Sequence, residues 1–196
     1  MNQKERVLEI AKQNDGIVLA SQLKKANIGR WTLSELEKDG KLQLVQRGIY
    51  VTEDGYLDDF FLLQQKYKKG IFSHETALFL HGLSDRAPIQ FVMTFLRGTS
   101  TSRMKEDNVR PVVSSIEFEL GVMDLQRSPS NTIQVYDVER TLVDLLKSRY
   151  DADKEQLIPA FKKYALRNDK DINKLYRYAT IFGVEDKVHN YMEVLL

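Results

Sequence analysis

Apolar positions in the first fifty residues fall into short blocks, each with its own period. Over 3–13, Val7, Leu8, Ile10 and Ala11 recur at helical spacing, and Asn14-Asp15-Gly16 stops the run. Leu19 to Ala26 predicts a second short helix with Ala20, Leu23 and Ala26 on one side, and Asn27-Ile28-Gly29 predicts a tight turn. A third helix is expected over 30–39, closed by Gly40 as a left-handed cap. Leu42, Leu44 and Val45 then lead through Gln46-Arg47-Gly48 into Ile49, Tyr50 and Val51, the pattern of two short strands about a turn. Helix, helix, turn, helix and hairpin within about 50 residues is the order of a winged helix-turn-helix, whose third helix enters the major groove.

Glu53-Asp54-Gly55 is the first boundary in the pattern, which divides the chain into 1–55 and 56–196. Beyond it a helix is expected over 56–68 and another from the cap residue Ser73 to His81-Gly82. A strand follows over 89–95, a polar stretch over 97–111 reads as a long loop, and further strands are expected over 112–118, 122–125 and 132–136. Asp137 caps a strongly periodic helix bearing Val138, Leu142, Val143, Leu145 and Leu146, and the tail predicts helices over 153–167, 171–181 and 184–195. The fold class expected is therefore α+β: a winged helix-turn-helix followed by a larger mixed α+β domain with a helical tail.

Placed at 100° per residue, Leu33 and Leu36 face a core, while Trp31, Ser34, Glu35 and Lys38 fall on the other side with Arg30 at the edge. A tryptophan directed away from the core beside two cations is unusual for a solvated face. Arg30, Thr32, Ser34 and Lys38 are the expected major-groove readers, and Trp31 an apolar contact to sugar or a thymine methyl. Lys24, Lys25, Lys41 and Arg47 are the expected phosphate contacts. Formal charge over the whole chain is only +1, but Ala20 to Arg47 holds six Lys or Arg against three acids, so the basic surplus is local. The bland alternative is a small helical domain whose hairpin contacts protein, with Trp31 filling a groove between domains.

The chain has 196 residues, no cysteine and no apolar run of about 20, and its charged first residues lead into no apolar stretch. Neither disulfides, thiolate sites nor a membrane span is expected, and a reducing cytoplasm fits. His74 and His81 stand seven apart and would share a metal only with a third ligand from elsewhere. Asp137, Glu139 and Asp144 could be read as a magnesium-binding carboxylate set of a nucleic-acid-processing enzyme. Asp137 is better explained as a cap and Glu139 as a first-turn acid. No phosphate-loop, dinucleotide or nucleophile-elbow motif is present, so neither catalysis nor a cofactor is expected; a ligand-sensing regulator is the remaining alternative. Between Arg140 and Arg177 ten Lys or Arg stand against six acids. Lys162, Lys163 and Arg167, with Arg97, Arg103 and Lys105 of the polar stretch, form a possible second nucleic-acid surface.

Three sequence blocks carry a family resemblance: 26–33 with Leu36, 39–42 and 47–51; Phe72-Ser73-His74-Glu75-Thr76-Ala77-Leu78 through Leu80-His81-Gly82-Leu83-Ser84; and 135–146. Together they resemble AbiEi antitoxins. The resemblance implies a type IV toxin–antitoxin system associated with abortive infection of phage. It implies a winged helix that represses its own promoter at inverted repeats. It further implies a larger domain that opposes an AbiEii-type nucleotidyltransferase toxin without a stable complex.

Overall fold

The computed structural model describes residues 2–128, 131–150 and 152–193. It is a mixed α+β chain of two compact units, one comprising 1–68 with 125–133, the other 69–124 with 134–196. The sequence boundary at 55 falls inside the first unit, which runs on through a further helix.

In the first unit, helix α1 (Gln3–Gln13) opens with a capping box, Asn2 accepting from the Glu5 amide while Glu5 accepts from the Asn2 amide. Strand β1 (Ile17–Leu19) follows a tight turn, then helices α2 (Ala20–Lys25) and α3 (Trp31–Lys38). Strands β2 (Gln43–Gln46) and β3 (Ile49–Val51) complete an antiparallel sheet in the order β1-β3-β2. Strand β1 has no counterpart in the sequence pattern, which starts a helix at its last residue, Leu19; three residues are too few to display a period of two. Val7 and Ala11 of α1, Leu23 of α2 and Leu33 and Leu36 of α3 are all buried in one cluster. Helix α4 (Asp59–Lys66) is capped by the Asp58 carboxylate, which also pairs with Arg127 at 2.8 Å.

The second unit is built on strands β4 (Ile71–Phe72), β5 (Phe91–Leu96), β6 (Val109–Ser114), β7 (Val122–Ser128) and β8 (Asn131–Tyr136), in the order β6-β5-β4-β8-β7. The ends of β7 and β8 run on into 125–133, which group with the first unit. Helices α5 (His74–Leu80), α6 (Val138–Leu145), α7 (Lys154–Ala165), α8 (Ile172–Phe182) and α9 (Glu185–Glu193) supply the remaining core, with Leu78, Leu142, Phe161, Tyr164 and Leu175 fully buried. The expected continuation of the last helix to 195 lies outside the described residues.

The expected loop over 97–111 is more ordered than its composition suggests. A 3-10 turn at Met104–Asp107 buries Met104, and β6 begins at Val109 and pairs in parallel with β5 over Phe91–Leu96. Pro111 lies within β6, which its position at the sheet edge permits, because a missing N–H there breaks no ladder.

Candidate nucleic-acid interface

Helix α3 owes its exposure to what lies beneath it. Leu33 and Leu36 are each 2% exposed and seat the helix on α1. Thr32 is fully buried and its hydroxyl donates to Gln3 Oε1 at 3.1 Å, an oxygen that also accepts from the Gly29 amide. Thr32 is therefore an anchor and not a groove reader, which corrects its expected role. The signal was present: Thr32 and Leu36 are four apart and share a face. Lys4 reaches across from α1 to Asp39 at 2.8 Å and Glu35 at 3.2 Å, taking two acids of α3 into ion pairs. Those carboxylates hold the Lys4 ammonium above its usual range.

The outward face keeps Arg30, Trp31, Ser34 and Lys38 exposed. Trp31 is 58% exposed, yet its indole is laid back across Gly29, where an added Cβ would collide with it. Asn27 takes a left-handed conformation, φ 56°, in the turn that aims α3, a conformation asparagine tolerates better than most residues.

Between α3 and the β2–β3 hairpin lies an open groove of about 460 Å³. Arg30 and Ser34 line it from the helix, Gln46 and Arg47 from the hairpin, and Gln65 and Lys68 from α4 and its C-terminal end; no acidic side chain lines it. Lys24 and Arg30 share an adjoining hollow of about 440 Å³ at the turn. Lys25, Lys38 and Lys41 are exposed and line neither. Lys68 was not among the expected contacts, because its sequence neighbourhood is an apolar helix end and only the fold brings it beside Arg47.

The second basic set divides. Arg97, Arg103, Lys105 and Lys162 are exposed, but Lys163 pairs with Asp85 at 2.8 Å, and Arg167 pairs with Asp169 at 2.7 Å and donates to the His81 carbonyl. The expected surface of Lys163 and Arg167 is thus already engaged. The carboxylates weighed for catalysis are also engaged. Asp137 caps α6 through the Arg140 amide, Glu139 binds Lys174 at 2.7 Å and accepts from Tyr164, and Asp144 pairs with Arg140 at 3.0 Å and with Lys147. His74 Nδ1 meets Ser73 Oγ, and His81 Nε2 donates to the Tyr136 carbonyl at 2.7 Å. Among the described residues no group of three His, Asp or Glu could hold a metal ion, and no helix is long and apolar enough to cross a membrane.

Residues 5–52 match the family model described as a transcriptional regulator, AbiEi antitoxin. The similarity to antitoxin transcriptional regulators is thus one of this N-terminal segment; the second and third blocks of the resemblance lie outside the matched residues. The chain is similar to the crystal structure of the RV2827C protein from Mycobacterium tuberculosis, with a TM-score of 0.59 at 14% identity over 96% of this chain and 79% of that one. At that identity the likeness is one of fold. No curated protein matches the chain.

Proposed function

We propose that this protein is the DNA-binding autorepressor and antitoxin of an AbiE-type pair, reading inverted repeats in its own promoter through the N-terminal unit. In this reading the unit acts as a winged helix-turn-helix, with α3 in the major groove and the β2–β3 hairpin against the backbone. Arg30, Ser34 and Lys38 reach base edges, with Trp31 against sugar or methyl. Lys24, Lys25, Lys41, Arg47 and Lys68 meet phosphates. The 56–196 region opposes a nucleotidyltransferase toxin in the cytoplasm without a stable complex, and the exposed Arg97, Arg103 and Lys105 add contacts to nucleic acid.

The observation that carries the reading is the acid-free groove between α3 and the hairpin, lined by Arg30, Arg47 and Lys68. An exposed helix face beside a cationic, uncovered hairpin is what a polyanion of fixed groove geometry requires. A fluorescence-anisotropy titration of promoter and random duplexes at several salt concentrations tests it. Arg47→Glu should weaken both duplexes alike and lower the salt slope by about one unit for each phosphate lost. Arg30→Ala should narrow the preference for promoter over random duplex, on the order of tenfold. If both variants bind both duplexes as the parent does, the docking is wrong.

A further inference from the structure

Helix α3 and its C-cap carry three acids, Glu35, Glu37 and Asp39, yet no acidic side chain reaches the groove between this helix and the hairpin. Two of the three are withdrawn by one cation. Lys4 Nζ lies 2.8 Å from Asp39 Oδ2 and 3.2 Å from Glu35 Oε2, and all three side chains stay partly exposed. Exposed ion pairs contribute little to folding, so stability does not account for this arrangement. Its larger consequence is for the electrostatic field of α3.

Both acids are ill placed for a polyanion unless they are held. Glu35 is four residues from Trp31 and shares its side of the helix, so a carboxylate swung outward would stand beside the indole. Asp39 is the C-cap residue, where the helix dipole already disfavours negative charge. The tether comes from the first turn of α1, which the Asn2–Glu5 capping box fixes. Three side chains of that turn hold the helix-turn-helix. Gln3 Oε1 accepts from the Gly29 amide and the Thr32 hydroxyl at the start of α3, and Lys4 takes the two acids towards its end. Arg6 donates to the Ala26 carbonyl behind α2 at 3.0 Å. Gln3 and Lys4 precede the residues that the family model matches.

We infer that Lys4 is a positioning residue for duplex binding, which draws the Glu35 and Asp39 carboxylates off the outward side of α3. Arg30, Ser34 and Lys38 then meet the polyanion without like-charge repulsion beside them. The inference rests on α3 being the helix that meets DNA. Lys4 itself touches no phosphate, so its effect on binding depends wholly on the two acids it holds.

The test is a mutant cycle on the full chain, read by fluorescence anisotropy with the promoter duplex at low salt. Lys4→Met removes the ammonium at similar length and should weaken binding roughly five- to tenfold, because each freed carboxylate within a Debye length of a phosphate adds repulsion. Lys4→Arg should keep most of the affinity. Adding Lys4→Met to Glu35→Gln with Asp39→Asn should change the affinity of that double variant by less than about twofold. Tm should fall by no more than a few degrees in Lys4→Met, which separates lost binding from lost fold. Equal weakening with and without the two acids would mean that Lys4 meets phosphate directly, and overturns the inference. Unchanged affinity in Lys4→Met overturns it too, as does a large fall in Tm that the triple variant shares. A Glu35→Gln protein that loses its preference at one base pair also overturns it, since Glu35 then reads a cytosine instead of being held aside. A parent that binds no duplex refutes the DNA reading and this inference together; a parent that binds without coupling between Lys4 and the acids refutes this inference alone.

Discussion

Trp31 lies across Gly29, and the pair decides how the end of α3 is presented. Glycine leaves the room that the indole fills; a methyl group there would stand 2.6 Å from Cδ1, so the ring, the flexible partner, must move. Gly29→Ala should therefore cost less than about 1 kcal/mol of stability while releasing the indole from the turn. Trp31 is the chain's single tryptophan, so its emission reads the change directly. We expect a red shift and stronger acrylamide quenching in Gly29→Ala, together with weaker duplex binding; an emission spectrum and quenching identical to the parent's would refute this placement of the ring. Of this arrangement the sequence displayed the outward tryptophan, since Leu33 and Leu36 set the wheel. It did not display the contact with Gly29, because a side chain's direction along a turn depends on the turn's dihedral angles. Thr32 is the reverse case: its spacing from Leu36 marked it as inward, and only its polar side chain argued for the groove.

Helix α6 is an element in which all eight residues are buried, Glu139, Arg140 and Asp144 included. Its guanidinium group is enclosed from every side. Arg140 donates to Asp144 and to the carbonyls of Glu117 and Leu120, each at 2.7 Å, and lies over the rings of Tyr136 and Phe182 at 4.4 and 4.1 Å. Removing one member of such a set strands the others in low dielectric, a cost of about 3–5 kcal/mol. Arg140→Leu should therefore lose about 3 kcal/mol in urea unfolding followed by circular dichroism, with two carbonyls and part of Asp144 left unmet. A loss below about 1 kcal/mol would show that the network is dispensable. The helix itself was plain from Asp137 and the spacing of its leucines. Its charges were not, because a carboxylate on a periodic helix reads alike whether it serves a metal or an arginine. Strand β4, of two residues, carried no period at all; β6 was expected only from 112, its start at Val109 hidden by Pro111, a residue that argues against a strand anywhere except at an edge.

At the scale of the whole molecule, the two units differ in how their stability answers to acid. Burial pushes His74 down to about 4, and burial also lowers His81; both belong to the second unit. Ser73 Oγ accepts from the Thr94 hydroxyl and lies 3.0 Å from His74 Nδ1, while His74 Nε2 has no partner. A second ring proton would place an unpaired charge inside the core. Below pH 6.5 the unfolded histidine takes up a proton that the folded one refuses, so the neutral ring's contribution is fully present above that pH. It is lost progressively as the pH falls towards 4. Each pH unit in that window is worth about 1.4 kcal/mol, so about 2 kcal/mol disappears between pH 6.5 and 5. His74 stands at φ 53°, which makes asparagine the substitution least strained by the backbone. His74→Asn should lower stability at neutral pH but flatten its decline into acid by that amount. The division of the chain supplies an internal control: Trp31 reports the first unit alone, whereas far-ultraviolet circular dichroism reports both. The acid-dependent component should therefore appear in the dichroism and leave the tryptophan transition in place. Equal acid dependence in parent and variant would mean that His74 is not held neutral by the core, and that its burial has another source of compensation.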